Sequence, residues 1–136
     1  GDLCVILAGY KEEMMNLIEK NPGFESRIQF YVDFPDYTEE ELYKIFKSLV
    51  QKENYKISSH VKETLLRNFK EQKTSITFSN GRYVRNIYEK VKIEQANRVA
   101  NSNSEDINLI KKCDIEGVLK DEKLPENNKI KIGFAI

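Results

Sequence analysis

Thr38-Glu39-Glu40-Glu41-Leu42-Tyr43-Lys44-Ile45-Phe46-Lys47-Ser48-Leu49-Val50 is the stretch that decides the fold. Thr38 with Glu41 three residues on has the pattern of a capping box, in which each residue satisfies a free N–H of the other at a helix start. Leu42, Ile45, Phe46, Leu49 and Val50 then recur at i, i+3, i+4, i+7 and i+8, the apolar stripe of an amphipathic helix. That stripe needs further helices to cover it. Downstream, Ser58 or Ser59 is a candidate cap for a second helix with Val61, Leu65, Leu66 and Phe69 inward. Asn80-Gly81 precedes a third helix bearing Val84, Ile87, Tyr88, Val91 and Val99. Asn101 to Ser104 reads as a polar loop and Asp114 to Lys120 as a short helix. Leu124-Pro125-Glu126-Asn127-Asn128 breaks the chain before Ile130 to Phe134, a strand or a tail. Residues 37–120 therefore read as a small helical bundle and residues 121–136 as a tail.

Residues 1–36 have a different pattern. Leu3-Cys4-Val5-Ile6-Leu7-Ala8 is apolar without alternation, as expected of a strand covered on both faces of a parallel sheet. Lys11 to Lys20 places Met14, Leu17 and Ile18 at helical spacing, and Asn21-Pro22-Gly23 ends that helix. Ile28 to Phe34 then alternates as a strand. Strand, helix, strand is the minimum of a parallel crossover, yet two strands cannot cover a sheet this apolar. The expected fold class is thus α/β followed by α, with the chain opening inside a larger α/β domain as a fragment of it. Charge divides similarly: residues 1–36 carry three basic and seven acidic residues, the remainder nineteen and fifteen.

Composition bounds the function. Twenty-two basic residues balance twenty-two acidic ones over 136 residues, so the excess that drives phosphate-backbone binding is missing and nucleic acid is not an expected partner. Cys4 and Cys113 lie far apart and fit neither a metal-ligand spacing nor a disulfide framework, so both are expected as free thiols. The longest apolar run, Leu3 to Gly9, is far short of the ~18 residues of a spanning helix. No membrane partner is expected, and the localisation expected is cytoplasmic.

Catalytic sets are scarce. His60 is the one histidine and has no nucleophile or ligand partner at a recognisable spacing, which reads as an exposed helix-start residue. No glycine opens a phosphate-cradling G-x-x-x-x-G-K-[ST] loop. Arginine is rarer than lysine, five against seventeen, and three arginines stand at suggestive places. Arg27 follows a loop, where a planar guanidinium can reach a phosphate or carboxylate; the plainer reading is an ion pair with Glu25 or Asp33. Arg82 and Arg85 share a helix face after Gly81 and suit an anion, the plainer reading again being a salt bridge to a neighbouring helix.

Val5-Ile6-Leu7-Ala8-Gly9-Tyr10-Lys11-Glu12-Glu13-Met14, Asn21-Pro22-Gly23-Phe24-Glu25-Ser26-Arg27-Ile28, Phe34-Pro35-Asp36-Tyr37 and Asn80-Gly81-Arg82-Tyr83-Val84-Arg85-Asn86 occur in that order. Together they resemble the AAA+ ATPases of the CbbX and stage V sporulation protein K type, over roughly residues 3–100. The resemblance implies the last strand-helix-strand of a parallel AAA+ core, residues 1–36, followed by a helical lid subdomain, residues 37–120. It implies that Arg27 is the arginine finger, acting on nucleotide held by an adjacent subunit, and that Arg82 is sensor 2, contacting the γ-phosphate in its own subunit. Arg85 either assists or holds the lid by an ion pair, the second reading being preferred. Tyr10 falls where many relatives carry a polar sensor 1 residue, and is a weak nucleotide-binding candidate. ATP and Mg²⁺ are implied for the parent protein, but with the P-loop and Walker B absent neither is expected to bind this chain tightly. The implied partners are the N-terminal half of the same core, neighbouring subunits of a ring, usually a hexamer, and a protein client remodelled at the expense of ATP. The alternative is a helical protein–protein interaction module without nucleotide chemistry.

Overall fold

Thr38 starts the bundle as its spacing predicts. In the computed structural model, which describes residues 3–75, 78–102 and 106–122, its hydroxyl accepts from the Glu41 N–H at 3.3 Å. The Glu41 carboxylate accepts from the Thr38 N–H at 2.8 Å, closing the box. Counting every helix from the N-terminus, this one is α3, Glu39–Lys52; α4 is Val61–Gln72, α5 Asn80–Ala100 and α6 Lys112–Glu122. Each turns one stripe inward. Leu42, Phe46 and Val50 of α3 meet Val61, Leu65 and Phe69 of α4 and Val84, Ile87, Tyr88 and Val91 of α5, with Ile115 and Val118 of α6 closing the core. The Phe46 and Tyr88 rings pack edge to face, 5.8 Å between centroids. Ile45 and Leu49 are half-buried at the margin, as are Leu66 and Val99.

Two short strands hold the bundle's loops together, and the sequence pattern does not announce them. β1, Lys56–Ile57, pairs in parallel with β2, Leu109–Ile110. Two residues are too few to show a period of two. The second helix is led by His60 rather than by Ser58 or Ser59: His60 takes a left-handed φ of 67°, and its carbonyl accepts the Thr64 hydroxyl at 3.0 Å. Asn80 and Gly81 lie inside α5, not before it, with Ser79 at the cap position. α6 extends beyond the expected Asp114 to Lys120 at both ends.

The chain divides into two units, Gly1–Pro35 and Asp36–Ile136. In the first, α1 (Lys11–Glu19) forms where expected and α2 (Pro22–Glu25) begins at Pro22, whose missing N–H costs nothing at a first helical position. The strands expected at Leu3 to Ala8 and Ile28 to Phe34 are a correction: among the described residues neither carries a ladder. A strand exists only through a hydrogen-bonded neighbour, and these two do not pair with each other. Ile18 is the only residue of this unit buried among those described, whereas Ile6 and Phe34 are each 86% exposed. The segment Ile130 to Phe134 lies outside the described residues. No described helix is long and apolar enough to cross a membrane, and Cys4 and Cys113 are both free and exposed thiols.

Candidate functional site

The four candidates fall in both units, and each is placed by its own local structure. Tyr10 is the N-cap of α1, extended at φ −69°, with its carbonyl accepting the Met14 N–H at 2.9 Å and its phenol 81% exposed. Arg27 follows α2. Its Nη1 donates to the Gly23 carbonyl at 2.7 Å, which leaves the rest of the guanidinium exposed. The expected ion pair with Glu25 or Asp33 is not made; Asp33 takes Lys11 instead, at 3.2 Å.

Arg82 and Arg85 stand on the first two turns of α5. Both are exposed, and among the described residues neither makes an ion pair or a side-chain hydrogen bond. The salt bridge that was the plainer reading of both, and the preferred one for Arg85, is therefore absent among those residues. A cation on a long stem that the fold leaves unpaired is free to take an external anion, and a guanidinium matches phosphate oxygens two at a time. Gly81, one residue before Arg82, faces Ile45 and Tyr37, 3.9 Å from where a Cβ would stand, so its own surroundings leave room for a side chain.

The same helix carries an arginine of the opposite kind. Arg98 donates from Nε to Asp114 Oδ1 at 2.7 Å and from Nη2 to Oδ2 at 3.1 Å, and Nη2 also reaches the Leu109 carbonyl at 2.7 Å. Asp114 further accepts the Lys111 N–H at 2.8 Å, capping α6 from within its first turn. Those bonds hold Arg98 more firmly in its charged form. Nearby, Gln95 is buried and donates to the Ile107 carbonyl at 2.6 Å. Sequence reasoning missed this staple, because the pattern gives no sign that residues 98 and 114 meet.

Asn80 was missed in another way, since Asn-Gly signals a turn. Its Oδ1 accepts the Tyr37 N–H at 3.1 Å and its Nδ2 donates to Asp36 at 2.6 Å. Tyr83 connects three helices, with its hydroxyl 2.9 Å from Asn68 and 3.0 Å from Glu122. Burial, reinforced by Glu122, raises its pKa well above the ordinary tyrosine value. A cleft of about 260 Å³ between α4 and α6 is lined by charges of both signs, Arg67 and Lys120 against Glu71 and Glu116, and includes neither Arg82 nor Arg85. Among the described residues no group of acids, histidines or cysteines could hold a metal ion. The free guanidiniums thus fit nucleotide phosphates, while no described residues fit Mg²⁺.

A capped helix with three more closing over it, α5 among them opening on an arginine unpaired among the described residues, is the arrangement of the bundle, and comparison with known families gives its class. The AAA lid domain family model matches residues 38–127, and the chain belongs to that family. Its similarity to curated proteins is of the CbbX and CfxQ type. A CfxQ homolog from Galdieria sulphuraria is 43% identical over 103 residues, 76% of this chain and 34% of that protein. Protein CbbX of Cereibacter sphaeroides is 37% identical over 103 residues, 76% of this chain and 33% of its own length. The chloroplastic ribulose bisphosphate carboxylase/oxygenase activase of Cyanidioschyzon merolae is 38% identical over 98 residues, 72% of this chain and 33% of that protein. The chain spans about one third of the length of the curated relatives it matches.

Proposed function

We propose that this chain is the C-terminal part of an AAA+ ATPase that couples ATP hydrolysis to the remodelling of a protein client. The observation that carries the reading is that Arg82, at the start of α5 in a lid-family bundle, is exposed and unpaired among the described residues. Arg82 serves as sensor 2, reading the γ-phosphate in its own subunit, with Arg85 assisting from the next turn. Arg27 is the arginine finger, reaching nucleotide held by a neighbouring subunit and stabilising charge during phosphoryl transfer. Tyr10 lies at the sensor 1 position and makes at most a weak contact. Residues 1–36 belong to the nucleotide-binding core and 37–120 to the lid.

The remaining parts of the site, a P-loop and a Walker B acid pair to hold ATP and Mg²⁺, come from the N-terminal half of the same core. A finger acting between subunits requires a ring, a hexamer in this reading, working in the cytoplasm. That one relative is named an activase of another enzyme supports a protein client. The test is turnover and ATP affinity of the full-length ATPase. Arg27→Ala should lower the rate by about a thousandfold or more with affinity nearly kept, the scale of a lost arginine finger. Arg82→Ala should impair nucleotide-dependent lid movement. Equal loss of affinity in both variants would refute the separate roles.

A further inference from the structure

The bundle's first residue and the helix that carries Arg82 are joined by one side chain. Asp36 and Tyr37 open the second unit directly after Pro35, and the Asn80 carboxamide holds both. The Tyr37 N–H is a donor and the Asp36 carboxylate an acceptor, so the grip needs one acceptor and one donor on a single planar group. Serine has too short a reach for both, and aspartate would set one acceptor against another. Asn80 takes a left-handed φ of 46°, a region that asparagine tolerates better than most residues. Ser79, at the cap position, provides no side-chain bond of its own. Asn80 thus fastens the entering chain by hydrogen bonds to the first turn of α5, two residues before Arg82.

We propose that Asn80 is a positioning residue whose carboxamide latches Asp36–Tyr37 to α5, so that movement of Arg82 on a nucleotide phosphate is passed to the segment joining the two units. This rests on the reading of Arg82 as a phosphate sensor. The latch does not touch nucleotide; it decides whether α5 and the joining segment move as one piece. Without it Arg82 can still bind phosphate, but the displacement is lost before it reaches the chain that leads to the core.

A charge swap tests this. Asn80→Asp places two carboxylates face to face across the 2.6 Å contact, whereas Asn80→Asp combined with Asp36→Asn rebuilds donor and acceptor in reverse order. An aspartate suits a helix start, so the single variant should still fold. In the full-length ATPase, Asn80→Asp should lower turnover about fivefold or more, the lower end of ordinary coupling between sites, with the KM for ATP changed less than about twofold. Hydrogen exchange at the Tyr37 amide should quicken by about tenfold, the factor of one ordinary hydrogen bond. The double variant should restore both. Arg82→Ala is the control: if it leaves turnover unchanged, the sensor reading fails and the coupling with it. If Arg82→Ala slows turnover while Asn80→Asp does not, or the swap restores Tyr37 protection without restoring turnover, the latch proposal alone is overturned.

Discussion

Arg98→Ala is the sharpest test of how the bundle is held. The substitution strips Asp114 of two charge-assisted hydrogen bonds and the Leu109 carbonyl of one. The Asp114 side chain is only 2% exposed, so the pair is shielded from water in the folded bundle. Breaking a buried pair by removing one partner costs about 3–5 kcal/mol. The Arg98 side chain is 19% exposed and Asp114 keeps the Lys111 N–H, which brings the expectation to about 2–4 kcal/mol. At about 4–8 °C per kcal/mol for a unit of this size, the thermal midpoint should fall by at least about 8 °C. Urea unfolding followed by helical circular dichroism gives the free energy directly. Adding Asp114→Ala to Arg98→Ala should cost little further, because the orphaned carboxylate is then gone, and Arg98→Lys should lie between wild type and Arg98→Ala. A loss below about 0.5 kcal/mol, the scale of a surface pair, or additive single losses would refute the staple.

Thr38→Ala should cost about 1 kcal/mol in the same unfolding assay, through loss of the capping box. Glu41 is held below its ordinary carboxylate pKa, first by the Thr38 N–H, so its stabilisation is present above the unfolded value of 4.5 and lost as pH falls through the lower folded one. Glu41→Gln should flatten that part of the acid limb of a stability–pH curve. Tyr88 is 1% exposed and its hydroxyl makes no hydrogen bond among the described residues, so Tyr88→Phe should be neutral or stabilising by up to about 1 kcal/mol. Burial pushes that hydroxyl up from 10.0 to about 12. Its contribution is therefore whole below pH 10 and lost as pH rises through 12, and in Tyr88→Phe this share of the alkaline loss should vanish.

The lid helices were legible because burial there follows a period the chain displays. Leu42, Phe46 and Val50, or Val84, Ile87, Tyr88 and Val91, announce one face each and are buried on it. What failed was everything set by a distant partner. Leu3 to Ala8 has the composition of an interior strand, but pairing depends on neighbours that composition does not supply. β1 and β2 owe their existence to each other, across the whole of α4 and α5. His60 displaced the two serines as the leader of α4 because a left-handed residue, not a side-chain bond, turns the chain there.

The site was half legible for the same reason. Arg82 and Arg98 are alike as residues on one helix, and their partners distinguish them: Asp114 and the Leu109 carbonyl take Arg98 into the fold and leave Arg82 out. That division gives α5 two unlike ends. Its C-terminal end is fixed by Arg98 on Asp114 and Gln95 on the Ile107 carbonyl. Its N-terminal end presents Arg82 and Arg85, unpaired among the described residues, and holds the entering chain through Asn80. Between them, Val84, Ile87, Tyr88 and Val91 are packed in the core, which ties the middle of the 21-residue helix to the bundle. A helix of that length spans about 31 Å at about 1.5 Å per residue. In the proposed reading, a phosphate pulling on Arg82 acts on a helix anchored at its far end, and the Asn80 grip on Asp36 and Tyr37 carries that pull to the entering chain. In the proposed ATPase, that is where nucleotide state would become motion.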